Sequence, residues 1–523
     1  MLLSPEPARL SDLIGAGAPT GAVQFGRDRP IPVEPLIGAG AALHQHGHQL
    51  VTALILTNDQ TSVELLLGAI AAGVTVVSLP LPSSGAGLGE YISFLREACS
   101  KHGVGEIIVR DDIASLLAGS DVTIRPHSSL DSSSVGSPGL GGFQLVQYTS
   151  GTTGEPRGIL LSDRDLGANV TAILHALQPA PGDSACSWLP ISHDMGLIGM
   201  LFTTLAASAP AWTGRTQLQL IEPGEFLRRP SSWLTALSAS KASFTAAPDF
   251  GYRLALMRSV AAIDLSAMRC AIIGGEVVRD STLRSLVTNL GAYGLTEHAL
   301  CPAYGMAEVG LAVTMTGPSE LARRRTVHTA DLADGRVVDV PADSAFAHVA
   351  VASGPPLAGY GVTTSEGNSR TGVISVRGPS IGRRAESGTE LALGGVLKTG
   401  DVGFVDGDGW LYVNGRVDEV IVLRGRNLSA RVIELAVSDV TGVRAGRAAI
   451  TTLPTGESIV LAEQGRRSGE PDDLVRDIER AVLSVAGSRP DRVFVVPKGT
   501  LPMTSSGKLR RTRLLATVTR LLQ

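Results

Sequence analysis

Over roughly the first 300 residues, short apolar runs rich in β-branched side chains alternate with longer helical patterns. No other feature constrains the fold as strongly. LVTALILTN, VTVVSLP, EIIVR, FQLVQYTS and MRCAIIGG read as buried strands, and LLLGAIAAG, LIGMLFTTLAA and WLTALSAS as helices between them. A strand covered on both faces must be apolar throughout, and a helical crossover brings the next strand in parallel. The pattern therefore specifies α/β layers with mainly parallel sheets. From about residue 346 the pieces AFAHVAVAS, GVISVRG and GFVDGDGWLYVNG lack long helices and specify a smaller, β-barrel-like unit. Beyond GRVDEVIVLRGRN, amphipathic helices near 429–440 and 471–486 flank the strands RAAITTL and RVFVVP, as in a compact α+β domain. The expected division is a large N-terminal domain over 1–416 and a small C-terminal domain over 417–523. A chain of 523 residues is too long for one core, which agrees.

Composition excludes more than it selects. With 44% apolar and 18% charged residues the chain is a folded one. A net charge of −4 gives no reason to expect nucleic acid or an anionic membrane as partner. Cys99, Cys186, Cys270 and Cys301 share no metal-like or redox spacing and read as buried thiols of a reducing compartment. The N-terminus has no basic start followed by an apolar run, so a cytoplasmic protein is expected. The uncharged stretch 195–212 holds Ser, Thr and Pro and directly follows Asp194, so it reads as a buried pocket-lining helix and not a membrane span. His44, His46 and His48 have no Cys, Asp or Glu nearby to complete a metal site.

Three segments carry chemistry. YTSGTTGEPRGI follows an apolar strand and offers Thr149, Ser150, Gly151, Thr152, Thr153 and Gly154: small hydroxyls and unobstructed backbone N–H groups, which a polyphosphate requires. No Gly-Lys-Ser/Thr follows, so this is not a Walker loop. In TGDVGFVDGDGWLYVNGRVDEVIVLRGRN, Asp401 can accept from a ribose diol, and Arg416 can pair with ribose or phosphate oxygens. LPMTSSGKLRR presents Lys508 on a Ser/Gly-rich turn, where one ammonium can reach an anion. Alone, each segment could be a turn, a hairpin or a basic tail. Their order and separation together argue otherwise.

With these segments the chain resembles the adenylate-forming superfamily of acyl-CoA synthetases, peptide-synthetase adenylation domains and luciferases, from about residue 40 to 515. Within it, the chain is most similar to the fatty acyl-AMP ligases. WLPISHDMGLIG resembles their signature, FTAAPDFGYRLAL their acyl-pocket segment, and YGMAEVG carries Ala307 where most of the superfamily has Thr. The adenine-contacting turn of the family matches GGEVV, bringing in Gly275, Glu276 and Val277. The chain holds two look-alike phrases, Tyr293 to Glu297 and Tyr304 to Glu308. Tyr304 stands 30 residues past Gly274, the spacing these ligases keep, and Tyr293 only 19. The resemblance thus implies that Tyr304, Gly305, Met306 and Ala307 border the nucleotide and that Glu308 ligates Mg²⁺. The first phrase then reads as a strand-to-helix connection.

The resemblance also implies the reaction. A fatty carboxylate attacks the α-phosphorus of ATP, with Mg²⁺ on Glu308 and the loop 149–154 on the phosphates. Asp401 and Arg416 grip the ribose, Lys508 bridges carboxylate and α-phosphate, and His193 sits near the acyl pocket mouth. The small domain is mobile, turns about the hinge Asp418, and admits a thiol. The segment 324–346 resembles the insertion of these ligases, which implies an acyl carrier protein as acceptor in place of CoA. Arg157 stands where many relatives have Lys, and Glu419 follows the hinge where many have Asp or a neutral residue. Three alternatives stay open at this point: an acyl-CoA synthetase, a non-catalytic nucleotide-binding relative, and an amino-acid adenylation domain reading its substrate through Asp249.

Overall fold

The computed structural model describes residues 8–14, 21–43, 51–82, 87–130, 142–149, 156–210, 212–257, 262–344, 347–367, 369–424, 426–465, 471–503 and 509–522. The three histidines of HQHGHQ and most of the Ser/Gly-rich stretch 131–142 lie outside these residues.

Two large sheets form the first half of the chain, as the alternating pattern requires. One has eight strands, ordered Ala312–Met315, Leu300–Gly305, Cys270–Ile273, Phe244–Ala247, Ser184–Ser187, Gln217–Leu220, Ala22–Phe25 and Ile31–Pro32. Its six central strands are parallel and only the two edge strands run antiparallel. The other has seven strands, with Gln144–Thr149, Thr75–Ser78, Val51–Leu54, Ile107–Val109 and Ile124–Pro126 parallel to one another. Helices start and stop by ordinary capping. Gln60–Ala72 begins on Asp59, whose carboxylate accepts from the Ser62 N–H at 3.0 Å, and ends at Gly73 in the left-handed region. Ser162 and Asp165 form a capping box at the head of Asp163–Leu177.

The β-rich segment forms a four-stranded antiparallel sheet of Gly361–Thr364, Gly372–Arg377, Leu397–Val405 and Leu411–Arg416. AFAHVAVAS does not join it. Its strand Ala347–Val351 pairs instead with Arg324–His328. The insertion therefore begins as one arm of a hairpin, and Val327, Leu332 and Val337 pack on Phe404, Trp410 and Tyr412 of the β unit. The C-terminal part holds the three-stranded sheet Val443–Thr452, Ser458–Gln464 and Arg492–Val496, with helices Ala430–Ser438 and Pro471–Ala486 sharing its core.

The stretch after Asp194 is helical and buried, as its lack of charge requires. It opens with a wide-turn π-helical segment, Met195–Phe202, and continues as Thr203–Ala207. Among the described residues, no helix is long and apolar enough to cross a membrane. Cys186, Cys270 and Cys301 are buried free thiols, and Cys99 is partly exposed.

Candidate functional site

In an open parallel sheet, ligands collect beyond the carboxyl ends of the strands, where successive loops diverge. The sequence motifs are found there. Trp188 and the signature follow Ser184–Ser187, Asp249 follows Phe244–Ala247, and the turn Gly274 to Val277 follows Cys270–Ile273. Tyr304 and Gly305 end the strand Leu300–Gly305, and Glu308 lies in the short turn Ala307–Val309 just beyond it. Thr149 ends Gln144–Thr149 in the other sheet. Ser150 to Gly154 and Lys508 lie outside the described residues.

The two look-alike phrases now separate. Glu297 lies at the amino end of the strand Leu300–Gly305, with its carboxylate 2.7 Å from Arg324 Nη2. Glu308 lies at the opposite, carboxyl end. The stretch Tyr293 to Glu297 runs from the helix Asp280–Leu290 into that strand, so it is a helix-to-strand connection and not the reverse. Pro302 within LCPAYG removes a ladder donor and hides the strand from pattern reading.

Tyr304, Asp401 and Arg416 come together. Asp401 and Arg416 face each other across the antiparallel pair of strands that carries them. The Tyr304 hydroxyl donates to Asp401 Oδ2 at 2.7 Å, and Arg416 Nη1 to Asp401 Oδ1 at 2.8 Å. Arg416 Nε donates to Asp418 Oδ1 at 3.0 Å, so one guanidinium joins the ribose candidate to the hinge candidate. Burial raises the Glu308 carboxyl above its ordinary range, and the charges of Asp401 and Asp194 add to this against Arg416.

Gly275 is demanded by its backbone conformation and Gly305 by space. Gly275 has φ +74°, and a Cβ there would sit 3.0 Å from Met195 Cε. A Cβ on Gly305 would lie 1.7 Å from the Leu311 carbonyl oxygen. His193 is partly exposed in the turn before Asp194, with its Nδ1 3.7 Å from Asp194 Oδ1. On the far side of the signature, Trp188 stacks on Phe226 at 3.7 Å between ring centres and meets Trp233 and Phe250 edge-on.

Residues 39–381 match the sequence profile of the family described as AMP-binding enzyme. The chain belongs to the AMP-binding enzyme family. It is 30% identical to JamA, a medium-chain-fatty-acid–[acyl-carrier-protein] ligase of Moorena producens, over 70% of this chain and 66% of that one. It is 28% identical to a long-chain-fatty-acid–AMP ligase of Mycobacterium marinum over 74% of this chain and 71% of that one. Among solved structures, one from work on fatty acyl-adenylate ligases of E. coli and L. pneumophila superposes with a TM-score of 0.85 at 25% identity, covering 98% of each chain.

Three acidic residues of this AMP-binding enzyme have partners that the sequence does not announce. Asp249 is 1% exposed and accepts from the Arg279 backbone N–H at 3.1 Å, so its carboxylate serves the interior and not an open substrate pocket. Glu276, within the turn that the resemblance assigns to adenine, does not stand free. Its Oε1 accepts from the Phe250 N–H at 2.7 Å and its Oε2 from Arg431 Nη2 at 2.8 Å. Glu419 has Arg511 as partner at 3.4 Å, and the same guanidinium donates to the buried Glu434 at 2.7 Å.

Sequence reading passed over the residues that hold the signature in place. Asn58 Nδ2 donates to the carbonyls of Leu189 and Ile221 at 3.0 and 2.8 Å, and its Oδ1 accepts from the Ile191 N–H at 3.0 Å. Gln147 Nε2 donates to the Ser192 carbonyl at 2.8 Å. Their sequence signal is a lone amide in or at the end of an apolar strand run, where a buried polar group must find partners.

Proposed function

We propose that this enzyme is a fatty acyl-AMP ligase. It activates a fatty carboxylic acid with ATP, releases pyrophosphate, and passes the acyl group to the phosphopantetheine thiol of an acyl carrier protein. The observation that carries this reading is the meeting of Tyr304, Asp401, Arg416 and Glu308 at the carboxyl ends of the parallel strands, next to the apolar helix that follows Asp194.

The acid is ionised at neutral pH and needs no general base. One of its oxygens bonds to the α-phosphorus, and the bond from that phosphorus to the leaving pyrophosphate breaks. The chain supplies placement, charge neutralisation and exclusion of water. Tyr304 borders adenine, with Gly275 to Val277 and Gly305 to Ala307 shaping its slot. Asp401, oriented by Tyr304 and Arg416, accepts from the ribose hydroxyls. The hydroxyls and N–H groups of 149–154 hold the phosphates, and Lys508 spans carboxylate and α-phosphate. Glu308 is a fit ligand for Mg²⁺, because its carboxylate oxygens suit a hard cation and the nearby Asp401 and Asp194 make its surroundings electronegative. When bound, the ion offsets charge on the phosphate oxygens. His193 stands at the mouth of the acyl pocket.

Residues 417–523 act as a mobile domain turning about Asp418, which carries Lys508 away and opens a path for the thiol. The insertion supports a carrier protein as acceptor. Its helix Thr329–Ala333 lies against both Pro471–Ala486 and the strand Arg426–Ser429, where it restrains the small domain. The three buried free thiols fit a cytoplasmic setting. The test is pyrophosphate release and acyl-AMP formation from C6 to C18 acids, followed by thioester formation with CoA or a holo carrier protein. Acyl-CoA formed as fast as carrier loading would reassign the enzyme to the acyl-CoA synthetases.

A further inference from the structure

The helix Ala430–Ser438 has its charges the wrong way round for its own stability. Arg431 sits in its first turn and Asp439 caps its carboxyl end. The helix dipole favours an anion at the first position and a cation at the second. Both side chains are used elsewhere. Arg431 Nη2 donates to Glu276 Oε2 at 2.8 Å. Asp439 Oδ1 accepts from Arg279 Nη1 at 2.9 Å and lies 3.6 Å from Arg253 Nη2. The helix is therefore held at both ends by the large domain.

The large-domain partners reach into the candidate site. Glu276 belongs to the turn assigned to adenine, and its other oxygen accepts from Phe250 in the segment assigned to the acyl pocket. The Arg279 side chain is 8% exposed, and burial beside Arg253 lowers its pKa to about 10. Arg279 has Asp249 Oδ2 3.8 Å from its Nε on its own face, so it keeps a carboxylate neighbour when the pairs to the helix part, which limits the cost of release. Arg431 also keeps carboxylates on its own side, since Glu434 and Glu419 as well as Glu276 hold its pKa above the ordinary value despite burial.

We propose that Arg431 and Asp439 are positioning residues forming a two-point releasable latch. Through Glu276 and Arg279 they fix the pose of the small domain and couple it to the adenine turn and the acyl segment. This rests on the reading that residues 417–523 move as a unit.

The latch is tested on the full chain without ligands, by double electron–electron resonance between spin labels at Thr235→Cys and Ser484→Cys in a Cys99→Ser background. The wild-type pairing gives one dominant separation. Arg431→Gln and Asp439→Asn each reduce its population about threefold or more in favour of a broader distribution, and Arg431→Lys restores much of it. Asp439 is half-exposed, so Asp439→Asn decides the matter if Arg431→Gln melts early. Distributions unchanged from wild type in folded Arg431→Gln or Asp439→Asn would overturn the latch. The readout needs no turnover. Acyl-AMP formation without a distance change would remove the latch and leave the ligase reading. A distance change in a protein forming no acyl-AMP would keep the latch and remove that reading.

Discussion

At the residue scale, the proposed ribose grip depends on one carboxylate held by two donors. Asp401→Asn keeps the shape but loses the charge-assisted bond from Arg416 and the acceptor for one ribose hydroxyl. We expect kcat/KM for ATP to fall on the order of 100-fold. Tyr304→Phe removes only the orienting hydroxyl, so KM for ATP should rise about tenfold while kcat changes less. Initial-rate measurements of pyrophosphate release separate the two. Asp249 gives a pH prediction. Burial, with Glu276 beside it, pushes its carboxyl from 3.8 up to about 6, so the native state binds this proton more tightly than the unfolded chain. Its contribution to stability is complete below about pH 4 and is lost as pH rises through about 6, on the order of 2 to 3 kcal/mol. Denaturant unfolding across this window should show that slope in the wild type and lose it in Asp249→Asn.

At the scale of elements, the account rests on loops pinned at strand ends. Asn58→Ala would leave the Ile191 N–H and the carbonyls of Leu189 and Ile221 without their side-chain partner inside the core. A loss of about 2 to 4 kcal/mol is expected, with weakened acid binding because the signature turn loosens; thermal unfolding and KM for the acid check both. This is also where sequence reading was strongest and weakest. FQLVQYTS and MRCAIIGG announce strands because buried parallel strands are continuously apolar, and both were found as such. LCPAYG and SIVLAEQ went unread, the first because proline breaks the pattern. The second is a central strand that carries the buried acid Glu463 one residue before its end. The family's spacing chose Tyr304 and Glu308 over Tyr293 and Glu297, and the structure has Tyr304 at the carboxyl end of a strand and Glu308 just beyond it. Spacing could not show that Glu276 faces Arg431 or that Asp249 faces Arg279, because such pairs join segments distant in sequence and leave no local trace.

At the scale of the whole molecule, the question is what limits the small domain. His328 and Ala347 are paired across the hairpin, so an Asn-Gly turn in place of 329–346 can close it. The shortened protein should melt at lower temperature, since Phe404, Trp410 and Tyr412 lose their apolar cover from Leu332 and Val337. It should nonetheless form acyl-CoA about tenfold faster, with acyl-AMP formation little changed. The most direct measurement of the central claim is made on the intact protein: acyl-AMP and thioester are followed side by side with a C6 to C18 acid panel, ATP and Mg²⁺, adding CoA or a holo acyl carrier protein. The account predicts acyl-AMP from at least one acid, loading of the carrier, and little acyl-CoA. No acyl-AMP from any acid, with Glu308, Asp401 and Lys508 all present, would contradict it.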